Sequence, residues 1–117
     1  MIEGSRPAPC STVTAGTLTI RRLAGRHGLL LDGEADLNSH CALRGALRAL
    51  LSDGPGEIHL ELAGLTFIDV SCTRELVTLT QFPHPARLVL HNPPWSLQRI
   101  ATLAWPHASI EVASISD

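Results

Sequence analysis

The sequence predicts a single α/β domain in which a partly parallel sheet packs against helices. The 117 residues suffice for one ordinary domain, and 44% of them are hydrophobic while 17% are charged, which is typical of globular chains. Segments with the period of two that favours strands alternate along the chain with segments of helical period. The predicted order of elements is β-β-α-β-α-β-α-β.

A hairpin opens the predicted domain. Residues 1–14 show no hydrophobic period and are predicted to form a flexible lead. Residues 17–23 (TLTIRRL) alternate weakly and residues 28–32 (GLLLD) form an apolar run, so both are predicted strands. A glycine-bounded turn at 25–28 joins them, and residues 33–36 lead out of the sheet.

A helix follows, with Asn38 or Ser39 as its predicted N-cap, because short polar side chains accept hydrogen bonds from the first helical turn. Apolar side chains recur at helical spacing through residues 43–51, which gives the helix one face for a core. The run Ser-Asp-Gly-Pro-Gly at 52–56 ends the helix.

The next strand has the clearest signal in the chain. Residues 57–62 (EIHLEL) alternate strictly between polar and apolar side chains, which predicts a strand with one buried face. Residues 63–69 are predicted to be a tight connection into a second helix over about 71–80.

The last part of the chain repeats this alternation. Residues 86–91 are a predicted strand, and Pro94 lies well for the first turn of a third helix. A last strand is predicted at 109–113. The predicted domain therefore spans residues 15–113, with a short tail at 114–117.

Composition and charge argue against several classes of function. The formal net charge of −2 and the absence of a basic stripe argue against nucleic-acid binding. No apolar run is long enough to span a bilayer, and residues 1–9 lack the apolar core of a secretion signal. Cys10, Cys41 and Cys72 are too widely spaced for a disulfide framework. We therefore expect a cytoplasmic protein without a membrane partner.

No metal site, cofactor site or catalytic constellation is predicted. The six histidines include no pair four residues apart, and no Cys-x-x-Cys motif occurs, so the usual spacings of zinc ligands are missing. The Walker loop, Gly-x-Gly-x-x-Gly and Gly-x-Ser-x-Gly are also missing. The acidic residues Asp32, Glu34 and Asp36 could hold a cation, but we favour a solvated turn before a helix.

Two roles are open for Cys72. At the start of a helix, the dipole lowers the pKa of a thiol and favours the nucleophilic thiolate, which would fit an enzyme or a redox protein. The alternative, which we favour, is a small apolar side chain packed under the helix.

Residues 62–76 (LAGLTFIDVSCTREL) are the most informative segment. A strand ends here, and Asp69 or Ser71 is placed to accept hydrogen bonds from the free N–H groups of a helix. A phosphate on a hydroxyl at this point would lie at the positive end of the helix dipole. Helix capping alone and a phosphorylation switch both fit this pattern.

This segment resembles the signature of the STAS domain, the anti-sigma factor antagonist family. The family pattern is Leu-x-Gly-Val-x-Phe-Ile-Asp-Ser-Ser-Gly-Leu between a strand and a helix. The matching residues are Leu62, Gly64, Leu65, Phe67, Ile68, Asp69 and Ser71. Residues 33–36 (GEAD) are similar to the Gly-Glu-Leu-Asp of the family, and residues 87–100 are similar to its strand–Asn/Ser-Pro–helix segment.

The resemblance implies a mixed sheet of four to five strands flanked by three to four helices. It implies a bacterial regulatory protein that binds other proteins and is not an enzyme. In the family, the unphosphorylated domain binds an anti-sigma factor serine kinase and frees a sigma factor for transcription. Phosphorylation of the first Ser after the Asp reverses that binding.

The sequence departs from the family at the switch itself. Val70 stands where the family has its phosphorylated Ser, and Cys72 stands where it has Gly, whereas Ser71 is retained. Ser71 is therefore the first phosphorylation candidate and Thr73 the second. The alternative is a constitutive scaffold or a sensor-associated module without phosphorylation. The expected partner-binding residues are Gly33, Glu34 and Asp36, within a contact segment at 33–37, and Asp69, Val70, Ser71, Cys72, Thr73 and Arg74.

Overall fold

A computed structural model describes residues 12–53, 56–81, 87–108 and 110–113. These residues form three helices, α1 (His40–Asp53), α2 (Val70–Thr78) and α3 (Trp95–Ala104). They also form six strands, which are β1 (Thr12–Ala15), β2 (Leu18–Arg22), β3 (Gly28–Ala35), β4 (Glu57–Ile68), β5 (Arg87–His91) and β6 (Ile110–Ala113). None of the helices in this part of the chain is long and apolar enough to cross a membrane.

The six strands lie side by side in chain order, from β1 to β6. β1, β2 and β3 are antiparallel neighbours, whereas β3, β4, β5 and β6 pair in parallel. Each parallel connection carries one helix, as a βαβ crossover requires. The predicted α/β fold with a mixed sheet and three helices is confirmed, with one strand more than expected.

The hydrophobic core lies between the helices and one face of the sheet. It joins the buried side chains of all three helices to alternate residues of the strands, such as Ile58, Leu60 and Leu62 of β4. α1 contacts α2, and α2 contacts α3, so the helices form a single layer. The domain therefore has two layers, and no described element packs on the other face of the sheet.

The predicted apolar stripe of α1 is confirmed. Leu43, Leu47 and Leu50 recur at helical spacing and are fully or almost fully buried. Truncating one of these side chains to Ala would cost about 2–5 kcal/mol through lost burial and the remaining cavity.

The strands differ from the prediction at two places. Residues 12–14, expected in the lead, belong to β1, where Val13 pairs with Ile20 of β2. β4 does not end near residue 62 but continues to Ile68. It is paired there with β3, which continues past its predicted end at residue 32 to Ala35. Residues 1–11 and 114–117, predicted as lead and tail, lie outside the described residues.

Irregular pairing explains why the extension of β4 was missed. The register between β3 and β4 shifts twice, before Asp32 and after Gly33, which interrupts the alternation expected of a strand. Gly33 has a φ of +107°, and a Cβ added there would lie 2.0 Å from the carbonyl oxygen of Thr17. Only glycine fits this bulge.

Candidate functional site

The carboxyl ends of β3 and β4 bring together the two segments expected to bind a partner. Ala35 pairs with Ile68, and the backbone N–H of Asp69 donates to the carbonyl oxygen of Ala35 at 3.1 Å. One turn later, the thiol of Cys72 lies 3.5 Å from the carbonyl oxygen of Asp36. Residues 33–37 therefore lie directly beside the start of α2.

Asp69 is the N-cap of α2, in agreement with the prediction. Its backbone is extended, and its carboxylate accepts a hydrogen bond from the backbone N–H of Cys72 at 2.8 Å. Its carbonyl oxygen accepts from the backbone N–H of Thr73 at 3.0 Å and from the Thr73 hydroxyl at 2.8 Å. Asp69 thus orients the first turn of the helix from both its side chain and its backbone.

A second set of local hydrogen bonds shapes the turn before α1. The hydroxyl of Ser39, which is fully buried, accepts from the backbone N–H of Asp36 at 2.9 Å. The carboxylate of Asp36 accepts from the backbone N–H of Asn38 at 3.0 Å. Ser39 precedes α1 as predicted, but its hydroxyl binds back to Asp36.

Within the described residues, no cluster of three or more His, Cys, Asp or Glu could hold a metal ion.

The two candidate phosphorylation sites differ sharply in access. Ser71 is the second residue of α2, is exposed, and its hydroxyl makes no hydrogen bond to the described part of the chain. Thr73 is fully buried, with its hydroxyl bound to the Asp69 carbonyl. A kinase could reach Thr73 only after the helix start had opened, so the geometry favours Ser71.

Cys72 is fully buried, in agreement with the favoured interpretation of a small apolar side chain packed under the helix. Burial, followed by the hydrogen bond to Asp69 and by the charges of Asp69, Asp36 and Glu75, raises the pKa of its thiol to about 12. The lowered pKa that the alternative role requires is not found, because desolvation and nearby carboxylates outweigh the helix dipole. A protonated, buried thiol disfavours the nucleophile hypothesis, and Cys72 and Thr73 support the surface from beneath without facing a partner.

Exposed apolar side chains lie at the edge of the sheet where α2 begins, with Val70 on α2 and Phe67 on the face of the sheet away from the helices. Leu37 is 83% exposed, Val70 52% and Phe67 47%. Glu34, Ser71 and Arg74 are exposed beside them. We call these six residues the α2 surface. Phe67 matches the family motif but is not among the expected partner-binding residues, because residues 63–69 are predicted as a connection and not as part of β4.

Glu75 ties α2 to α1 next to the α2 surface. Its carboxylate lies 2.8 Å from Nε2 of His40 and 3.3 Å from Nε of Arg44. The side chains of His40 and Glu75 are only 18% and 17% exposed. No sequence signal marked this contact, because its partners lie more than thirty residues apart along the chain.

Comparisons with known proteins agree with this geometry. A family model described as "Mlab, STAS domain" matches residues 18–113. A similar solved structure is that of the anti-sigma factor antagonist SpoIIAA in its unphosphorylated form, with a TM-score of 0.60 and 14% sequence identity. The match covers 83% of this chain and 88% of that chain. At this identity the likeness is one of fold. A search of curated protein sequences found no significant match.

Proposed function

This chain belongs to the STAS domain family, and we propose that it is a regulatory domain that binds an anti-sigma factor serine kinase and thereby controls transcription. The α2 surface is the proposed contact. The structural likeness to an anti-sigma factor antagonist supports the class of function, and the α2 surface supports the location.

One observation carries the proposal, namely three large apolar side chains exposed around a capped helix start. Leu37, Phe67 and Val70 leave apolar area in water, and exposed apolar patches on small domains mark interaction sites. The backbone beneath them is held by the hydrogen bonds of Asp69 and Asp36. A surface ordered before binding loses less conformational entropy when a partner docks.

The proposed regulatory site is Ser71. A phosphate there adds a charge of about −1.5 to −2 at neutral pH to an edge that already carries the carboxylates of Glu34, Asp36 and Asp69. Arg74, three residues later on the same helix, is the nearest cation along that face. Phosphorylation would therefore add strong negative charge next to the exposed apolar side chains and weaken a contact formed by Leu37 and Val70.

A constitutive binding module without phosphorylation is the second candidate function, and Val70 favours it. Val70 is half exposed at the position where the family carries its acceptor hydroxyl. A β-branched side chain has few rotamers, so it suits a permanent apolar contact. In this case the same surface binds its partner without a switch.

The test is a pull-down from native lysate with the purified chain as bait, in ATP and in ADP. The variants Val70→Asp and Leu37→Asp place a charge on the α2 surface. Leu103→Asp is the matched control, because Leu103 is 72% exposed on α3. We expect a kinase-type anti-sigma factor with the wild type and with Leu103→Asp, and its loss with both surface variants.

The mass of the recovered bait separates the two candidates. A phosphate mapped to Ser71 in ATP, together with weaker capture of the kinase in ATP than in ADP, supports the switch. Equal capture in both nucleotides with a bait that stays unmodified in ATP supports the constitutive module. Capture that survives both Val70→Asp and Leu37→Asp would remove the α2 surface as the contact. Failure to capture any such kinase in either nucleotide would reject the proposed binding of an anti-sigma factor kinase.

A further inference from the structure

The sheet face opposite the helices carries a pair of histidines in direct contact. His59 of β4 and His91 of β5 alternate with the core residues Leu60 and Leu90 and therefore point to the other face. Nδ1 of His59 lies 2.8 Å from Nε2 of His91, and their rings stack with centroids 5.1 Å apart. The proposed function does not use this pair.

Two further groups complete the cluster. Arg26, in the turn between β2 and β3, places a guanidinium N–H 3.1 Å from the same Nε2 of His91. On the other side, Nε2 of His59 lies 3.2 Å from a carboxylate oxygen of Glu57. The chain of contacts therefore runs from Arg26 through His91 and His59 to Glu57, and joins the turn to β4 and β5.

These contacts determine where the protons lie. The guanidinium of Arg26 can only donate, so Nε2 of His91 must keep its lone pair and the ring must be neutral. Nδ1 of His59 lies against the same single lone pair. The contact between Arg26 and His91 is therefore made only while His91 is neutral.

A proton on His91 would break this arrangement. Protonated His91 would present an N–H to the guanidinium of Arg26, which can only donate, and would place a second positive charge beside it. Burial, followed by the charges of Arg26 and His59, lowers the pKa of His91, while Glu61 opposes this. The other charged side chains on this face are Arg87, which binds Glu57 and Glu111, and Arg21, in the same row as Glu61.

We propose that Arg26 and His91 form a proton-operated latch, which fastens the turn at residues 23–28 to β5 while His91 is neutral and releases it when His91 takes up a proton. A shallow cavity lies at the latch, lined by Leu23, Ala24, Arg26, Glu61, His91 and Asn92. Release of Arg26 moves one wall of this cavity. Acidification therefore changes the position of this turn on the helix-free face of the sheet, while the hydrophobic core on the other face stays packed.

The test is an NMR titration of the full chain between pH 8 and pH 5, following the histidine side chains and the backbone relaxation of residues 23–28. We expect His91 to take up its proton below the usual histidine pKa of about 6.5. The turn should become mobile over the same range of pH.

The variant Arg26→Gln removes the charged contact between the turn and His91 without changing the core, because Arg26 is exposed. Removing the permanent cation should move the protonation of His91 to higher pH, and the turn should already be mobile at pH 8. Mobility of the turn that does not follow the protonation of His91 would overturn the proposal. A turn whose relaxation is the same at both pH values in the wild type would also overturn it.

Discussion

Replacing Asp69 with Ala should destabilise the domain by removing the cap of α2. The carboxylate accepts the backbone N–H of Cys72 at 2.8 Å, in a partly buried setting. Loss of an N-cap side chain costs about 1 kcal/mol, with a range of 0.5–2. Loss of a negative charge at the helix start adds about 0.3–1 kcal/mol. We therefore expect Asp69→Ala to lower the free energy of unfolding by roughly 1–2 kcal/mol.

Asp69→Asn is the matched control, because the amide keeps an acceptor oxygen but not the charge. Its loss should be limited to the charge contribution of about 0.3–1 kcal/mol. Urea unfolding followed by circular dichroism measures both variants, with the slope against urea checking that the folded state is unchanged. Equal losses for Ala and Asn would refute a capping hydrogen bond. No loss for Ala would refute the cap itself.

Three further outcomes follow from the described contacts. Cys72, with its raised pKa and full burial, should react with iodoacetamide only when the protein is unfolded, as peptide mapping of labelled samples will show. His91 has a lowered pKa in the folded state, so the unfolded chain takes up this proton first. Its contribution to stability should be complete above the usual histidine pKa of about 6.5 and be lost as the pH falls through the folded value, in chemical denaturation at stepped pH. Glu75→Gln should lower the free energy of unfolding by about 1 kcal/mol through loss of the contacts to His40 and Arg44. Glu75→Asp should recover little of this stability, because the shorter side chain cannot reach these two residues on α1.

The elements predicted best are those whose signal is local. The alternation of residues 57–62 and the helical spacing of Leu43, Leu47 and Leu50 both correspond to buried faces in the structure. β1 and the second half of β4 were missed because their stability comes from pairing with other strands. Val13 is opposite Ile20, and Leu65 is opposite Gly33 across a bulge. Such pairing has no fixed signature within a short window of sequence.

The site shows the same division between local and long-range features. The cap at Asp69 follows from a polar residue before a helix, and the sequence was sufficient to predict it. The burial of Cys72 agrees with its favoured interpretation, whereas the burial of Thr73 depends on how α2 packs, which residue order alone does not reveal. The His59–His91 contact joins adjacent parallel strands, and no pattern of histidine spacing along the chain could have indicated it.

The sheet order, in which spatial neighbours are also neighbours in the chain, has a consequence for how the protein folds. No strand has to wait for a distant segment, because each one joins an edge that its predecessor has just formed. Each parallel pairing still closes over a helix, with partners such as Ile58 and Leu88 thirty residues apart, so these pairings form more slowly than the antiparallel ones. During synthesis, the antiparallel ribbon of β1, β2 and β3 can pair first. Each later strand–helix unit can then dock on the growing sheet as it leaves the ribosome.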